Sequence, residues 1–248
     1  MTNAGVEKGL WWLGLVVAPV VLISIELFHP SHFTGTHGAG VYEYLSQPEA
    51  YQPQHYALAY PGPDWWFVMH MIQTPMVGFV AVGLWLLVGR IDDNDGPIAL
   101  ALAWLSRAAT FVFLIYYTAL DTIGGTGLGR LMLNTQALKT EGKLTPEQVE
   151  GVAQLINRTW VDPWVGGVGS FFSLTGSWAV FVACVCAAAA LLVSKKMWWP
   201  PLVVLLAFGW ELQTSHASPT GPIAFGLLIV AALWMRWSER RVLQLKPA

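Results

Sequence analysis

The chain has 248 residues, of which 55% are hydrophobic and only 11% are charged. Because soluble domains average about 25% charged residues, this composition excludes an ordinary soluble enzyme. It predicts an all-α integral membrane protein, since a helix forms all its backbone hydrogen bonds within itself and so suits lipid. The net charge of −2 offers no basic surface for nucleic acid.

Several segments are apolar over the roughly 20 residues that a helix needs to cross a bilayer. We predict a single domain, residues 1–248, built as a bundle of about six transmembrane helices surrounded by lipid. The predicted spans are residues 10–29, 65–89, 106–123, 165–193, 198–215 and 219–237. No cleavage site of small residues follows the first segment, so we expect an uncleaved span and not a signal peptide.

Lysine and arginine set the expected orientation, because they concentrate on the cytoplasmic side of a membrane. With the N-terminus in the cytoplasm, the inner side receives nine basic residues, namely Lys8, Arg90, Arg107, Lys195, Lys196, Arg236, Arg240, Arg241 and Lys246. The outer side receives four, namely Arg130, Lys139, Lys143 and Arg158. We therefore expect both termini to be cytoplasmic in a multi-pass protein of the cell membrane, meaning the inner or plasma membrane.

Two long outer loops, residues 30–64 and 124–163, connect the spans. The glycine-rich run at 124–129 follows a membrane helix and not a strand, which excludes nucleotide binding, and we expect it to let the chain leave the membrane. Further on, Thr145 and Pro146 are typical of a helix start. The sequence thus predicts a surface helix near 145–160, either a passive cover or a gate.

Ionisable side chains inside membrane spans are costly and often functional. In this orientation they all fall near the outer ends of the spans. Glu26, His70, Asp121 and Glu211 lie within about 4 to 8 Å of those ends at 1.5 Å of rise per residue, and His29 and His216 lie at the edge. The residues are Glu26, His29, His70, Asp121, Glu211 and His216. This common depth predicts a polar cavity in the outer leaflet; the alternative is that the groups only pair and cap helix ends.

The residue types in this layer favour a metal site. Glu26 and His29 share a helix face at a spacing with which helical bundles bind metals, and ligands without thiolate suit iron, copper, zinc or manganese. We predict Glu26, His29, His70 and Asp121 as metal ligands. Glu211 and His216 are predicted as catalytic acid–base groups or further ligands. A haem ranks below a non-haem metal, and a proton relay or ligand site without metal remains a third interpretation.

The functional hypothesis is a membrane-embedded metal-binding oxidoreductase that acts on a small or lipophilic substrate from the outer side. The alternative is a non-catalytic accessory subunit of a larger respiratory, photosynthetic or monooxygenase-type membrane complex, with other membrane subunits as partners. A transporter is disfavoured because the polar layer does not lie at the midplane of the membrane.

Overall fold

The fold is known from a computed structural model that describes residues 3–30, 40–46 and 61–244, with side chains from 4 to 238 within those ranges. Secondary structure in these ranges is helical, and no strand occurs among them. This confirms the all-α prediction. The predicted loop residues 31–39 and 47–60 lie outside the described part of the chain.

The chain begins with two helices joined end to end, followed by long helices and short connections. α1 (Asn3–Trp12) runs through a π-helical segment (Leu13–Val17) into α2 (Ala18–Glu26), and α3 (Val41–Leu45) precedes α4 (Pro63–Leu87). After a short 3-10 turn (Asp93–Asp95) come α5 (Pro97–Leu120), a second π-helical segment (Asp121–Gly127) and α6 (Leu128–Thr140). The remaining helices are α7 (Pro146–Trp160), α8 (Phe171–Val193), α9 (Trp199–Thr214) and α10 (Thr220–Gln244).

Within the described ranges, five helical stretches are long and apolar enough to cross a membrane. They are Ala4–Glu26, Pro63–Leu87, Pro97–Thr140, Phe171–Val193 and Thr220–Ser238. The segment predicted as a span at 198–215 also forms a helix, α9, but this helix has only 16 residues. At 1.5 Å per residue it is about 24 Å long, shorter than the roughly 30 Å hydrocarbon core.

Six helices close into a ring. In chain order α2, α4, α5, α8, α9 and α10 each pack on the next, and α10 packs back on α2. Short connections make α4 and α5, α8 and α9, and α9 and α10 antiparallel hairpins. Consequently α2, α5 and α9 finish at the end of the bundle where α4, α8 and α10 begin. We call this the capped end, because α6 and α7 lie beside it.

Glycines allow helices of the ring to approach one another closely at two places. In the π-helical segment before α2, a Cβ on Gly14 would lie 2.8 Å from the Cα of Gly83 on α4. A Cβ on Gly176 of α8 would lie 3.0 Å from the backbone nitrogen of Tyr117 on α5. These contacts join backbone to backbone, as small residues allow in membrane helix pairs, and they hold the ring tightly closed.

The glycine run after α5, where we expect the chain to leave the membrane, does not end the helix. The helix widens into the π-helical segment Asp121–Gly127 and continues as α6. A π-helix keeps its backbone hydrogen-bonded, and the absent side chains let this segment pack against α4. The indole of Trp66 donates to the carbonyl of Gly124 at 3.2 Å across that contact.

The predicted surface helix near 145–160 is confirmed as α7. The Thr145 hydroxyl accepts a hydrogen bond from the Gln148 amide at 3.3 Å, and the Gln148 side chain accepts one from the Thr145 amide at 2.8 Å. This reciprocal pair satisfies two backbone donors that a helix start leaves open. Ala153 and Ile156 bury the inner face of α7.

The end opposite the capped end gathers basic side chains. Arg107 is buried, donates to the carbonyl of Val88 at 2.9 Å, and lies 4.8 Å from the ring centroid of Trp104. Lys196 forms an ion pair with Asp95 at 2.6 Å. This hydrogen-bonded ammonium lowers the pKa of the Asp95 carboxyl. Basic residues predicted on the inner side thus lie at one end of the bundle.

Asn157 ties α3 to α7. Its side-chain oxygen accepts from the Tyr42 amide at 2.9 Å, and its nitrogen donates to the Glu43 carboxylate at 3.0 Å. We expect Asn157→Ala to weaken this docking by about 1–3 kcal/mol, because partly buried groups lose their partners. Hydrogen exchange of the amides at 41–46 should therefore speed up several-fold.

The matched control for this prediction is Gln154→Ala on the same helix. The Gln154 side chain donates to Glu150 one turn away, at 3.0 Å, on the exposed face of α7. Exchange at 41–46 should remain at the wild-type rate in this variant. Equal exchange rates in both variants would contradict a docking role for Asn157.

Candidate metal centre

Three histidines meet at the capped end of the ring. His29 follows α2, His70 lies on the first half of α4, and His216 lies between α9 and α10. One ligand atom from each of the three lies within 4.8 Å of the others. The ring centroid of His29 is 4.9 Å from that of His216 and 5.5 Å from that of His70. We call this group the histidine triad.

The end of α2 positions His29. The helix stops at Glu26, and the backbone amide of His29 still donates to the Glu26 carbonyl at 3.0 Å. Nδ1 of the His29 ring lies 2.7 Å from the carbonyl oxygen of Pro30. Because a carbonyl only accepts, Nδ1 carries the hydrogen and Nε2 carries the lone pair. That Nε2 is buried and finds no hydrogen-bond partner in the described part of the chain.

His70 is held in the same tautomer by its own helix. Its Nδ1 donates to the carbonyl of Trp66 at 2.7 Å, so Nε2 carries the lone pair. The Trp66 ring packs on the imidazole with centroids 4.4 Å apart. On the other side a Cβ at Gly125 would overlap the His70 ring. Only glycine therefore fits at this position of the π-helical segment without displacing the histidine.

His216 reaches the triad from the turn after α9. Its ring meets that of His29 edge to face and lies 5.6 Å from the ring centroid of Tyr117. Burial lowers the pKa of His216 to about 4, so the imidazole is neutral at pH 7 and one ring nitrogen carries a lone pair. All three imidazoles can thus present the neutral form that ligates metal ions.

A second polar group, which we call the oxygen layer, lies deeper in the ring. It consists of Glu26, Gln73, Tyr117 and Asp121, each at most 1% exposed. Gln73 follows His70 by three residues on α4, which runs away from the capped end, so it lies about one helical turn, roughly 4.5 Å, beneath His70. Glu26 is the last residue of α2, three residues before His29.

The oxygen layer contains many unsatisfied atoms. The Gln73 amide donates to Asp121 Oδ1 at 3.3 Å. The atoms for which the described residues offer no partner are both carboxylate oxygens of Glu26, Gln73 Oε1, the Tyr117 hydroxyl and Asp121 Oδ2. Most buried polar atoms in proteins have a partner. Five such oxygens, together with His29 Nε2, mark a buried polar region whose hydrogen-bond partners are not among the described residues.

Comparison of the chain with protein-family models, curated proteins and solved structures finds no match. The function is therefore argued from the site alone.

The structure divides the sequence-predicted site residues into three groups. His29 and His70, predicted as ligands, join His216, predicted as a catalytic group, in the triad. Glu26 and Asp121, also predicted as ligands, lie in the oxygen layer. Glu211 is half-buried on α9, and its carboxylate is not among the described ligand atoms that cluster at the triad. The roles assigned to these six residues remain predictions.

Some side chains that build the site were not among the predicted residues. Gln73 and Tyr117 were detectable in principle, because each lies one helical turn from a predicted residue, His70 and Asp121 respectively. Gly125 carried no such signal, since its role is only to leave space for a ring on another helix.

Proposed function

We propose that this chain is a membrane-embedded oxidoreductase. It would bind a transition-metal ion through His29, His70 and His216 and use that ion for redox chemistry. The observation that carries the proposal is the triad itself, with three ligand nitrogens within 4.8 Å of one another. Metal–nitrogen bonds of about 2 Å place two ligand nitrogens up to about 4 Å apart. Small side-chain movements would thus close the triad around an ion.

The hydrogen bonds around the triad support this proposal. Metal-binding histidines commonly donate their second ring N–H to a carbonyl or carboxylate, which fixes the ring and the tautomer. His29 and His70 each do so through Nδ1 to a backbone carbonyl. This arrangement leaves Nε2 of both rings available as a metal ligand.

The ligand set favours iron, copper or zinc. Imidazole suits all three metals, and three protein ligands leave a coordination position open for a substrate. Iron or copper would supply the redox chemistry of an oxidoreductase, whereas zinc would favour hydrolysis. A haem is disfavoured, because the His29 ring lies only 4.9 Å from His216 and 5.5 Å from His70, centroid to centroid, and leaves no space for a porphyrin between two axial ligands.

We infer that the six ring helices cross a cell membrane with both termini in the cytoplasm. The alternating directions of the ring helices support this topology, with the short α9 as the fifth crossing. The basic side chains at the end opposite the capped end support the orientation. The triad would then lie on the outer side, within reach of a small or lipophilic substrate.

The test is metal analysis of the full-length protein purified in mild detergent. We expect about one equivalent of iron, copper or zinc per chain, removed by a chelator and recovered on adding the metal back. Absorption and electron paramagnetic resonance spectra would identify a redox metal. Absence of a stoichiometric metal, together with failure to rebind one, would refute the proposal, and copurifying membrane chains would then support the accessory-subunit alternative.

A further inference from the structure

We propose that the oxygen layer beneath the triad is a second cation site, which takes a hard divalent ion such as Mn²⁺ or Mg²⁺. The residues that would hold the ion are Glu26, Gln73, Tyr117 and Asp121. This site has its own donors and does not rest on the metal proposed for the triad, so that either proposal can fail while the other holds.

The four side chains converge on one volume, although they come from different elements. Gln73 on α4 contacts Asp121, the first residue of the second π-helical segment, at 3.3 Å. Glu26 at the end of α2 lies near enough to Asp121 for the two carboxyl groups to repel each other if both are ionised. The Tyr117 hydroxyl on α5 lies near both carboxyl groups. All four groups therefore lie within electrostatic range of one another inside the ring.

The unsatisfied atoms are what a hard cation needs. Of the polar atoms in the layer, the Gln73 amide nitrogen is already used as a donor to Asp121. The five atoms without a partner among the described residues are all oxygens. Carboxylate, amide and hydroxyl oxygens suit Mg²⁺, Ca²⁺ and Mn²⁺, whereas the imidazoles of the triad suit softer metals. The oxygen layer would thus favour a hard divalent ion, and the triad would favour a softer transition metal.

The two buried acids of the oxygen layer also favour a cation. Glu26 and Asp121 are both fully buried, and no lysine or arginine in the described ranges forms an ion pair with either. Keeping an unpaired buried carboxylate ionised costs several kcal/mol, so without a cation such a group takes up a proton. One divalent cation between the two would stabilise both in the ionised form and supply the missing partner for Gln73 Oε1 and the Tyr117 hydroxyl. Arg107, the buried arginine of α5, is engaged with Val88 at the opposite end.

The separation between the triad and the oxygen layer is compatible with one ion in each. Gln73 of the oxygen layer lies about one helical turn, roughly 4.5 Å, beneath His70 on the same helix. Metal ions in two-metal sites lie about 3.5–4 Å apart. The Tyr117 side chain connects the two groups, because its ring packs on His216 while its buried hydroxyl belongs to the oxygen layer. Two ions could therefore occupy neighbouring positions on the axis of the ring.

The experiment uses Mn²⁺ alone, added to chelator-treated full-length protein in detergent and followed by electron paramagnetic resonance. The wild type should bind Mn²⁺, and the variant Glu26→Gln/Asp121→Asn should bind it at least tenfold more weakly, because amides keep the shape and remove the charge. His70→Ala should retain the Mn²⁺ site, since this substitution changes only the triad. Glu150→Gln, which removes an exposed acid of α7, is the control for unspecific binding.

Thermal unfolding separates loss of the site from loss of the fold. Mn²⁺ should raise the Tm of the wild type and of His70→Ala but not that of Glu26→Gln/Asp121→Asn. The double variant should itself fold without the ion, because its buried charges are gone. The proposal is overturned if the wild type binds no Mn²⁺, or if binding is lost in His70→Ala and unchanged in the double variant.

Discussion

The His70→Ala variant is expected to lose the transition metal that we propose for the triad. The substitution removes one of the three imidazoles and leaves Trp66 and Gly125 facing a small cavity. Structural zinc sites with four ligands bind with about 10–16 kcal/mol in total, or roughly 3 kcal/mol per ligand. We therefore expect affinity to fall on the order of a hundredfold or more.

His29→Ala and His216→Ala should have effects of similar size, because each also removes one of the three ligands. Affinity is measured by competition with a chromophoric chelator on metal-free protein, one metal at a time. Equal losses in all three variants would distinguish a shared ion from a site in which one histidine only packs against the others.

Phe208→Ala is the matched control for cavity formation. This ring is fully buried on α9, and its loss opens a cavity without removing a ligand. The control should lower stability while keeping the metal. The triad is not a metal site if His70→Ala binds the metal as tightly as the wild type does, or if Phe208→Ala weakens binding as much as the histidine variants do.

Gly14→Ala is expected to destabilise the protein strongly, because the added methyl group would meet the backbone of α4. A Cβ on Gly14 would overlap the carbonyl oxygen of Phe79 and lie 2.8 Å from the backbone nitrogen of Gly83. These neighbours are backbone atoms, which cannot turn away as a flexible side chain does. Overpacking of this kind costs about 1–3 kcal/mol, and we expect a value near the upper end, since the first membrane helix must separate from α4.

Gly78→Ala on α4 is the control, since its Cβ would lie 3.9 Å from the Leu114 side chain, an ordinary contact. There alanine should be neutral or stabilise the protein by up to about 1 kcal/mol through its helix propensity. Thermal or denaturant unfolding in one detergent compares the two variants. Equal stabilities for Gly14→Ala and Gly78→Ala would mean that the approach of the first helix to α4 is looser than the structure has it.

Much of the fold could be predicted because the signals are local. The scarcity of charge and the long apolar runs indicate helices in lipid, whatever their packing. Thr145 and Pro146 indicate the start of α7, because the hydrogen-bonding pattern that caps a helix spans only four residues. Glu26, His70 and Asp121 attract attention in the same way, because a charged group in an apolar run is costly before any neighbour is known.

The continuation of the helix through Asp121–Gly127 was not predictable from local rules. Glycine weakens an isolated helix by about 1 kcal/mol per residue relative to alanine, so the run looks like a helix end. In the folded protein the absence of side chains at the same glycines lets the segment approach α4. The carbonyl of Gly124 then accepts a hydrogen bond from the Trp66 indole. This contact with another helix offsets the unfavourable local preference.

The sequence by itself indicated a helical protein suited to a membrane and predicted that its costly polar groups lie near one depth, because hydrophobicity and position along a helix are local properties. Only the tertiary structure separated the three imidazoles from a buried oxygen layer. That division depends on how each helix is rotated about its axis and on where the turn after α9 places His216. Both are decided by packing between helices that are distant in the chain.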